Sequence, residues 1–245
     1  VVPIHVSPNG KNINKACGST HPESLSKAVL EHGAHIGIAL DGDADRLTVV
    51  DEKGQVLDGD QLMAMIADYA NKHGTLKGGA IAATLMSNLG LEQFLRARGI
   101  GLHRTKVGDR YVMEAMKQHG LNIGGEQSGH LILGDYSTTG DALIAALQVL
   151  AGVMESGKPA SAALQMFAPV PQVLRNVKYT GASPLSREDV KTKIAEIEKQ
   201  LGRDGRIVVR ASGTEPLIRI MIEGKDKAGI EATAGELATL ISRES

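Results

Sequence analysis

Short apolar runs alternate with amphipathic stretches along most of this chain. Ile36 to Leu40 and Leu47 to Asp51 are uninterrupted enough to read as buried strands, and Glu52-Lys53-Gly54 supplies a turn after the second. Pro22 to His32 reads as a helix with Ser19 or Thr20 near its start. In Gln61 to Lys72, the apolar residues Leu62, Met65, Ile66 and Tyr69 recur at helical spacing, with Asp58 or Asp60 as the capping residue. The pattern continues as strand Ala80 to Leu85, helix Leu89 to Arg98, strand Gly101 to Thr105, helix Asp109 to His119, strands Leu121 to Gly124 and Leu131 to Leu133, and helix Gly140 to Met154. At the start, Pro3 to Val6 also has the look of a strand.

Such alternation predicts an α/β fold, with mixed and mostly parallel sheets flanked by helices. Two prolines in Phe167-Ala168-Pro169-Val170-Pro171 interrupt a helical pattern and mark a domain boundary. Beyond it come strand Gln172 to Tyr179, helix Arg187 to Leu201, strands Arg206 to Arg210 and Leu217 to Glu223, and helix Ile230 to Ile241. That order suits a small two-layer α+β domain with helices on one face of a largely antiparallel sheet.

The chain's 245 residues suffice for one large domain or two smaller ones. A net charge of -1 supplies no basic field for nucleic acid or an anionic membrane. No apolar run approaches the length of a membrane helix, and the first residues lack a secretory pattern, so the expected location is the cytoplasm. The single cysteine, Cys17, has no partner for an internal disulfide and no zinc-spaced companions. The chain opens on Val1 without an initiator methionine, and Val1 to Val6 needs strands to pair with, so the expectation is a piece whose N-terminal part is missing.

Four places carry candidate chemistry. In Asp41-Gly42-Asp43-Ala44-Asp45-Arg46, three carboxylates at i, i+2 and i+4 follow an apolar run; acids so close repel unless a cation sits among them, and oxygen-only donors favour magnesium. The competing readings are a solvated acidic turn, an aspartyl nucleophile pattern that fits imperfectly, and an EF-hand calcium loop. For the last, Asp41, Asp43, Asp45 and Glu52 fall at ligand positions, but Arg46 stands where glycine is needed and the flanks read as strands. In Gly124-Gly125-Glu126-Gln127-Ser128-Gly129-His130, glycines leave Glu126 and Ser128 free to bond hydroxyl groups, so a sugar is the natural ligand; His130 could equally be structural. Arg210-Ala211-Ser212-Gly213-Thr214-Glu215-Pro216 gathers a guanidinium fork, two hydroxyls and an approachable amide, the parts of a phosphate cradle, although a plain hairpin connection has similar residues. In Thr105-Lys106-Val107-Gly108-Asp109-Arg110, Asp109 is either a helix cap or part of a proton-transfer and phosphate-contact group with Lys106.

These segments together resemble the phosphohexomutase family, and within it the glucosamine branch, to which Gln127 points. The resemblance also covers Asn12-Ile13-Asn14, Cys17-Gly18-Ser19-Thr20-His21-Pro22-Glu23, Thr84-Leu85-Met86-Ser87-Asn88, Tyr111-Val112 and Thr138-Thr139-Gly140-Asp141, in family order. It implies three parts: 1–55 as the end of the family's second domain with the metal loop, 56–167 as the third with the sugar loop, and 168–245 as the fourth with the phosphate loop. It further implies interconversion of glucosamine 6-phosphate and glucosamine 1-phosphate through an enzyme phosphoserine and a bisphosphorylated sugar. Asp41, Asp43 and Asp45 would bind Mg2+; Arg46, Lys106, Asp109 and His130 would be catalytic; Glu126, Ser128, Arg210, Ser212, Gly213 and Thr214 would bind substrate.

The family's phosphoserine loop, Thr-x-Ser-His-Asn-Pro, does not occur here; Ser19-Thr20-His21-Pro22 imitates it but lacks the asparagine. The expected partners are therefore a hexosamine phosphate and an N-terminal domain carrying the phosphoserine, with a homodimer left open. The chain alone is expected to have no mutase activity. A glucose- or mannose-specific mutase and a noncatalytic sugar-phosphate-binding module are the alternatives.

Overall fold

Strands β1 (Ile36–Leu40) and β2 (Leu47–Asp51) run antiparallel on either side of the acidic turn, with Leu40 opposite Leu47, and β3 (Val56–Leu57) pairs with β2. This sheet is wholly antiparallel because the link Asp41–Arg46 is far shorter than the roughly dozen residues a parallel crossover needs. Every residue of β2 is buried, and its period of two divides them between cores. Leu47 and Val49 enter the main core, while Val50 packs with Leu25 and Val29 of helix α1 (Glu23–His32). The carboxylate of Asp51 closes the next turn by accepting from the amides of Lys53 and Gln55.

The structure, a computed structural model, describes residues 1–212 and 215–243, and divides into two compact units, Val1–Ala168 and Pro169–Ser245. In the first unit the chain continues through α2 (Gly59–Lys72), β4 (Ala80–Thr84), α3 (Leu89–Arg96), β5 (Gly101–Thr105), α4 (Asp109–His119), β6 (Ile123–Gly125), β7 (Leu131–Leu133), α5 (Ala142–Ser156) and the short α6 (Ala160–Ala163). The strand order is β5-β4-β6-β7, parallel around β4 and antiparallel at β7. Ile81 and Ala83 of β4 face the main core with α2, α3 and α5, whereas Ala80 and Ala82 face Val112 and Met116 of α4. Helices thus cover both faces of a strand made of small residues.

Two expectations need correction. Pro3 to Val6 is irregular and mostly exposed instead of a strand. The strand expected from Leu121 begins at Ile123, because the Leu121 amide turns back to the carbonyl of Met116 to finish α4 behind the left-handed Gly120.

The second unit holds β8 (Gln172–Lys178), α7 (Glu188–Leu201), β9 (Arg206–Ala211), β10 (Leu217–Glu223) and α8 (Lys227–Ser242). Its antiparallel sheet has order β8-β10-β9. Ile218, Ile220 and Ile222 of β10 share one face, packing with Val190 and Ile197 of α7 and with Ile230, Ala234 and Leu237 of α8. At the end of β10, the buried Glu223 is ion-paired with Arg206 and accepts from Gln172 at 3.1 Å.

Asp58 caps α2, accepting from the Gln61 amide at 3.2 Å. Asp60 is instead sealed in the protein, where its Oδ2 accepts from the Asn88 amide at 2.7 Å and its Oδ1 is buried. Burial, reinforced by the charge of Asp58, pushes the Asp60 carboxyl up to about 7. A carboxyl held above its unfolded value favours the folded state while protonated; that contribution is complete below about pH 4 and fades as pH rises through about 7. Urea unfolding across this range should show wild type losing stability relative to Asp60→Asn by on the order of 1.4 kcal/mol per pH unit. Parallel profiles for the two proteins would contradict the assignment.

Candidate active site

The acidic turn is wound so that its three carboxylates face one another. Oδ1 of Asp41 accepts from the amides of Asp45 at 3.2 Å and Arg46 at 3.0 Å, and Ala44 takes a left-handed φ of 59°. One oxygen each from Asp41, Asp43 and Asp45 then lies within 4.8 Å of the others. Arg46 Nε stands 3.7 Å from Asp41 and 4.0 Å from Asp45, so a single guanidinium faces two of the three acids. Asp45 Oδ1 is buried and has no hydrogen-bond partner among the described residues. Burial first, then the adjacent Asp41 carboxyl, hold the Asp45 carboxyl above its usual range.

An all-oxygen donor set with one orphaned buried oxygen fits a hard divalent cation. The EF-hand alternative does not fit: strands flank the turn, and Glu52 is engaged elsewhere, receiving the hydroxyl and amide of Ser161. A cleft of about 950 Å³ opens beside the turn, walled in part by Asn14, Lys15, Cys17 and Asp41.

The second expected loop is joined directly to the first. The β6–β7 connection is tight, with the Glu126 amide donating to the His130 carbonyl and the Gly129 amide to the Glu126 carbonyl. His130 forms a β-bridge with Arg46, and the Leu47 amide donates to the Gly129 carbonyl at 3.0 Å. Gly129 has φ 90°, and a Cβ there would stand 2.1 Å from the Leu47 carbonyl oxygen, so only glycine suits the junction. The Ala142 amide at the start of α5 donates to the Ala44 carbonyl, tying the turn from another side.

His130 itself is buried, its ring packed beneath Gly140, with Nδ1 3.1 Å from Asp45 Oδ2. With a proton on Nδ1 it donates to that carboxylate. In this arrangement the imidazole orients a candidate metal ligand and does not face open surface, unlike the acid–base role considered from sequence.

The third loop meets the second through Glu126. Its Oε1 accepts from the Gly108 amide at 3.0 Å and its Oε2 from the Ser128 hydroxyl at 3.2 Å. Lys106 and Asp109 are exposed; Lys106 Nζ lies 5.7 Å from the Tyr111 ring centroid, and Arg110 pairs with Glu114. Asp109 opens α4 as its first helical residue, while Gly108 occupies the cap position, so the helix-cap reading of Asp109 does not hold.

In the second unit, Arg210 is on β9 opposite Arg219 of β10, and the Ser212 amide donates to the Leu217 carbonyl at 2.8 Å. Gly213 and Thr214 lie outside the described residues. Sequence reasoning missed Asp58-Gly59, the support of the Glu126 loop, although two acids flanking a glycine at a helix start were a visible signal.

Three models of one family match the chain in series. The phosphoglucomutase/phosphomannomutase alpha/beta/alpha domain II matches residues 1–54, domain III matches 58–170 and the C-terminal domain matches 173–240. The chain belongs to the phosphoglucomutase/phosphomannomutase family. It is 60% identical over 241 residues to phosphoglucosamine mutase of Sinorhizobium medicae, covering 98% of this chain and 53% of that protein. It is 62% identical over 226 residues to phosphoglucosamine mutase of Chelativorans sp., covering 92% of this chain and 50% of that one. The chain thus spans about half the length of these relatives. Among solved structures, N-acetylphosphoglucosamine mutase of Aspergillus fumigatus, in complex with GlcNAc-6P and magnesium, superposes with a TM-score of 0.75 at 20% identity, over 95% of this chain and 54% of that one. A phosphoglucomutase/phosphomannomutase family protein of Burkholderia thailandensis gives 0.73 at 21%, over 91% and 50%. At these identities the two structures share the phosphohexomutase fold with this chain.

Gly129→Ala should destabilise this family member by at least about 2 kcal/mol in urea unfolding, since the Cβ collides with backbone that has nowhere to move. A variant within about 0.5 kcal/mol of wild type would show that the junction can open without cost.

Proposed function

We propose that these residues supply the metal, sugar and nonreacting-phosphate loops of a phosphoglucosamine mutase, which interconverts glucosamine 6-phosphate and glucosamine 1-phosphate. The observation that carries the reading is the direct link, through His130, between three crowded carboxylates and a loop presenting Glu126 and Ser128. The phosphoglucosamine mutase relatives at about 60% identity support glucosamine as the sugar.

In this reading Asp41, Asp43 and Asp45 hold Mg2+, which when bound supplies charge neutralisation for a phosphoryl group. Arg46 adds a second cationic contact from the same turn. Glu126 and Ser128 accept and donate to sugar hydroxyls; Arg210, Ser212, Gly213 and Thr214 grip the phosphate that does not react. Lys106 and Asp109 are the exposed candidates for moving a proton at the accepting hydroxyl. The serine that carries the transferring phosphoryl group would come from outside these 245 residues. Phosphoryl transfer asks for positioning and charge stabilisation more than covalent work, which suits loops of this composition.

The test is a chimera in which this chain replaces the matching half of the Sinorhizobium medicae relative, assayed with glucosamine, glucose and mannose phosphates. Turnover should favour glucosamine phosphate; preference for another sugar would reject the specificity, and no turnover of any would reject the function. In the 245-residue chain, millimolar Mg2+ should raise the melting temperature, and Asp43→Asn should abolish that rise while lowering chimera kcat by at least about 100-fold. An Asp43→Asn protein that still responds to Mg2+ would remove the triad from the metal site. Arg210→Ala should raise the KM of the chimera by about 10- to 100-fold, the scale of lost charge-assisted bonds to phosphate, and an unchanged KM would count against its role.

A further inference from the structure

Gln127 lies in the middle of the Glu126 loop, and its side chain reaches the start of α2. Its Nε2 is 3.3 Å from Asp58 Oδ2, while Oδ1 of the same carboxylate caps α2 through the Gln61 amide. The neighbouring backbone repeats the attachment: the Gly59 amide donates to the Gln127 carbonyl at 2.9 Å. Gly59 is buried so tightly against the loop that a Cβ would stand 2.2 Å from the Glu126 carbonyl oxygen and 2.8 Å from the Gly129 nitrogen. One helix end therefore holds the loop at a backbone and a side-chain bond, neither of them made by the Glu126 or Ser128 side chain.

We infer that Asp58 and Gln127 form a positioning strut that sets where Glu126 and Ser128 stand, so that position 127 tunes sugar affinity through the helix cap without touching the sugar. The inference rests on the reading of Glu126 and Ser128 as hydroxyl contacts. Glu126 also accepts from Gly108, so the setting of this loop extends to the Lys106–Asp109 loop. The strut works by chemical complementarity: a carboxylate must face an amide donor. Gln127→Glu sets two carboxylates against each other. Asp58→Asn keeps an oxygen for the cap, and the Gln127 amide can rotate to offer its own oxygen to the new donor. The reciprocal pair Asp58→Asn with Gln127→Glu again matches a donor with a carboxylate.

Hydrogen exchange at residues 126–130 of the sugar-free 245-residue chain tests the strut itself, and KM and kcat of the chimera for glucosamine 6-phosphate test its consequence. Gln127→Glu should speed exchange by about tenfold and raise KM by a similar factor while kcat stays within about threefold. The double variant should bring both back to within about threefold of wild type, a rescue that a general loss of stability would not produce. Unchanged exchange in Gln127→Glu, or failure of the double variant to restore it, overturns the strut. Faster exchange with an unchanged KM overturns the positioning role. A wild-type chimera inactive on every sugar phosphate, beside the expected exchange pattern, overturns the hydroxyl-contact reading and leaves the strut standing.

Discussion

Mutual repulsion among Asp41, Asp43 and Asp45 is the constraint around which the first unit is organised. Three carboxylates within 4.8 Å, two of them faced by one arginine, raise the local free energy unless a cation joins them. Holding them there in a chain of 22% charged residues requires a turn that cannot relax. The turn is tied from several directions: Ala44 to the start of α5, Arg46 and Asp45 to His130, and Leu47 to Gly129. Strand β2, buried along its whole length, anchors the turn in two hydrophobic cores at once.

Those ties explain why the metal candidates and the sugar candidates behave as one site. His130 belongs to the loop that carries Glu126, and its bond to Asp45 makes the geometry of one depend on the other. Glu126 in turn reaches Gly108, extending the dependence to the loop that carries Lys106 and Asp109. A displacement of the hairpin between β6 and β7 would therefore disturb three groups of candidate residues together. The helix cap at Asp58 and the close approach of Gly59 oppose such a displacement.

Some of the buried polar groups of the first unit stand beside this arrangement, and others, among them Asp51, Asp68 and Asn122, are paired elsewhere. Asp60, Asn88 and His130 are each less than a tenth exposed, and all sit at loop-bearing ends of strands or helices. Such groups cost stability unless paired, and their pairing here joins neighbouring loops: Asp60 binds the Asn88 amide, and His130 binds Asp45.

Periodicity and local spacing determined the secondary structure closely. The strands Ile36–Leu40, Leu47–Asp51 and Leu217–Glu223 and the helices near 22–32, 59–72 and 188–201 follow from apolar period, helix-start residues and turn glycines, which act within a few residues. The acidic triad was legible because its three carboxylates fall within five residues, while the tight turn at the left-handed Ala44 is what brings them within 4.8 Å of one another. Pro3 to Val6 failed because a strand needs a partner that no local pattern supplies. The direction of Gln127 toward Asp58, the burial of His130 under Gly140 and the removal of Glu52 to Ser161 join residues between ten and 110 positions apart. Such contacts arise only when distant elements pack, so the chain's linear order names the groups while the tertiary structure decides which of them face a ligand and which hold the others still.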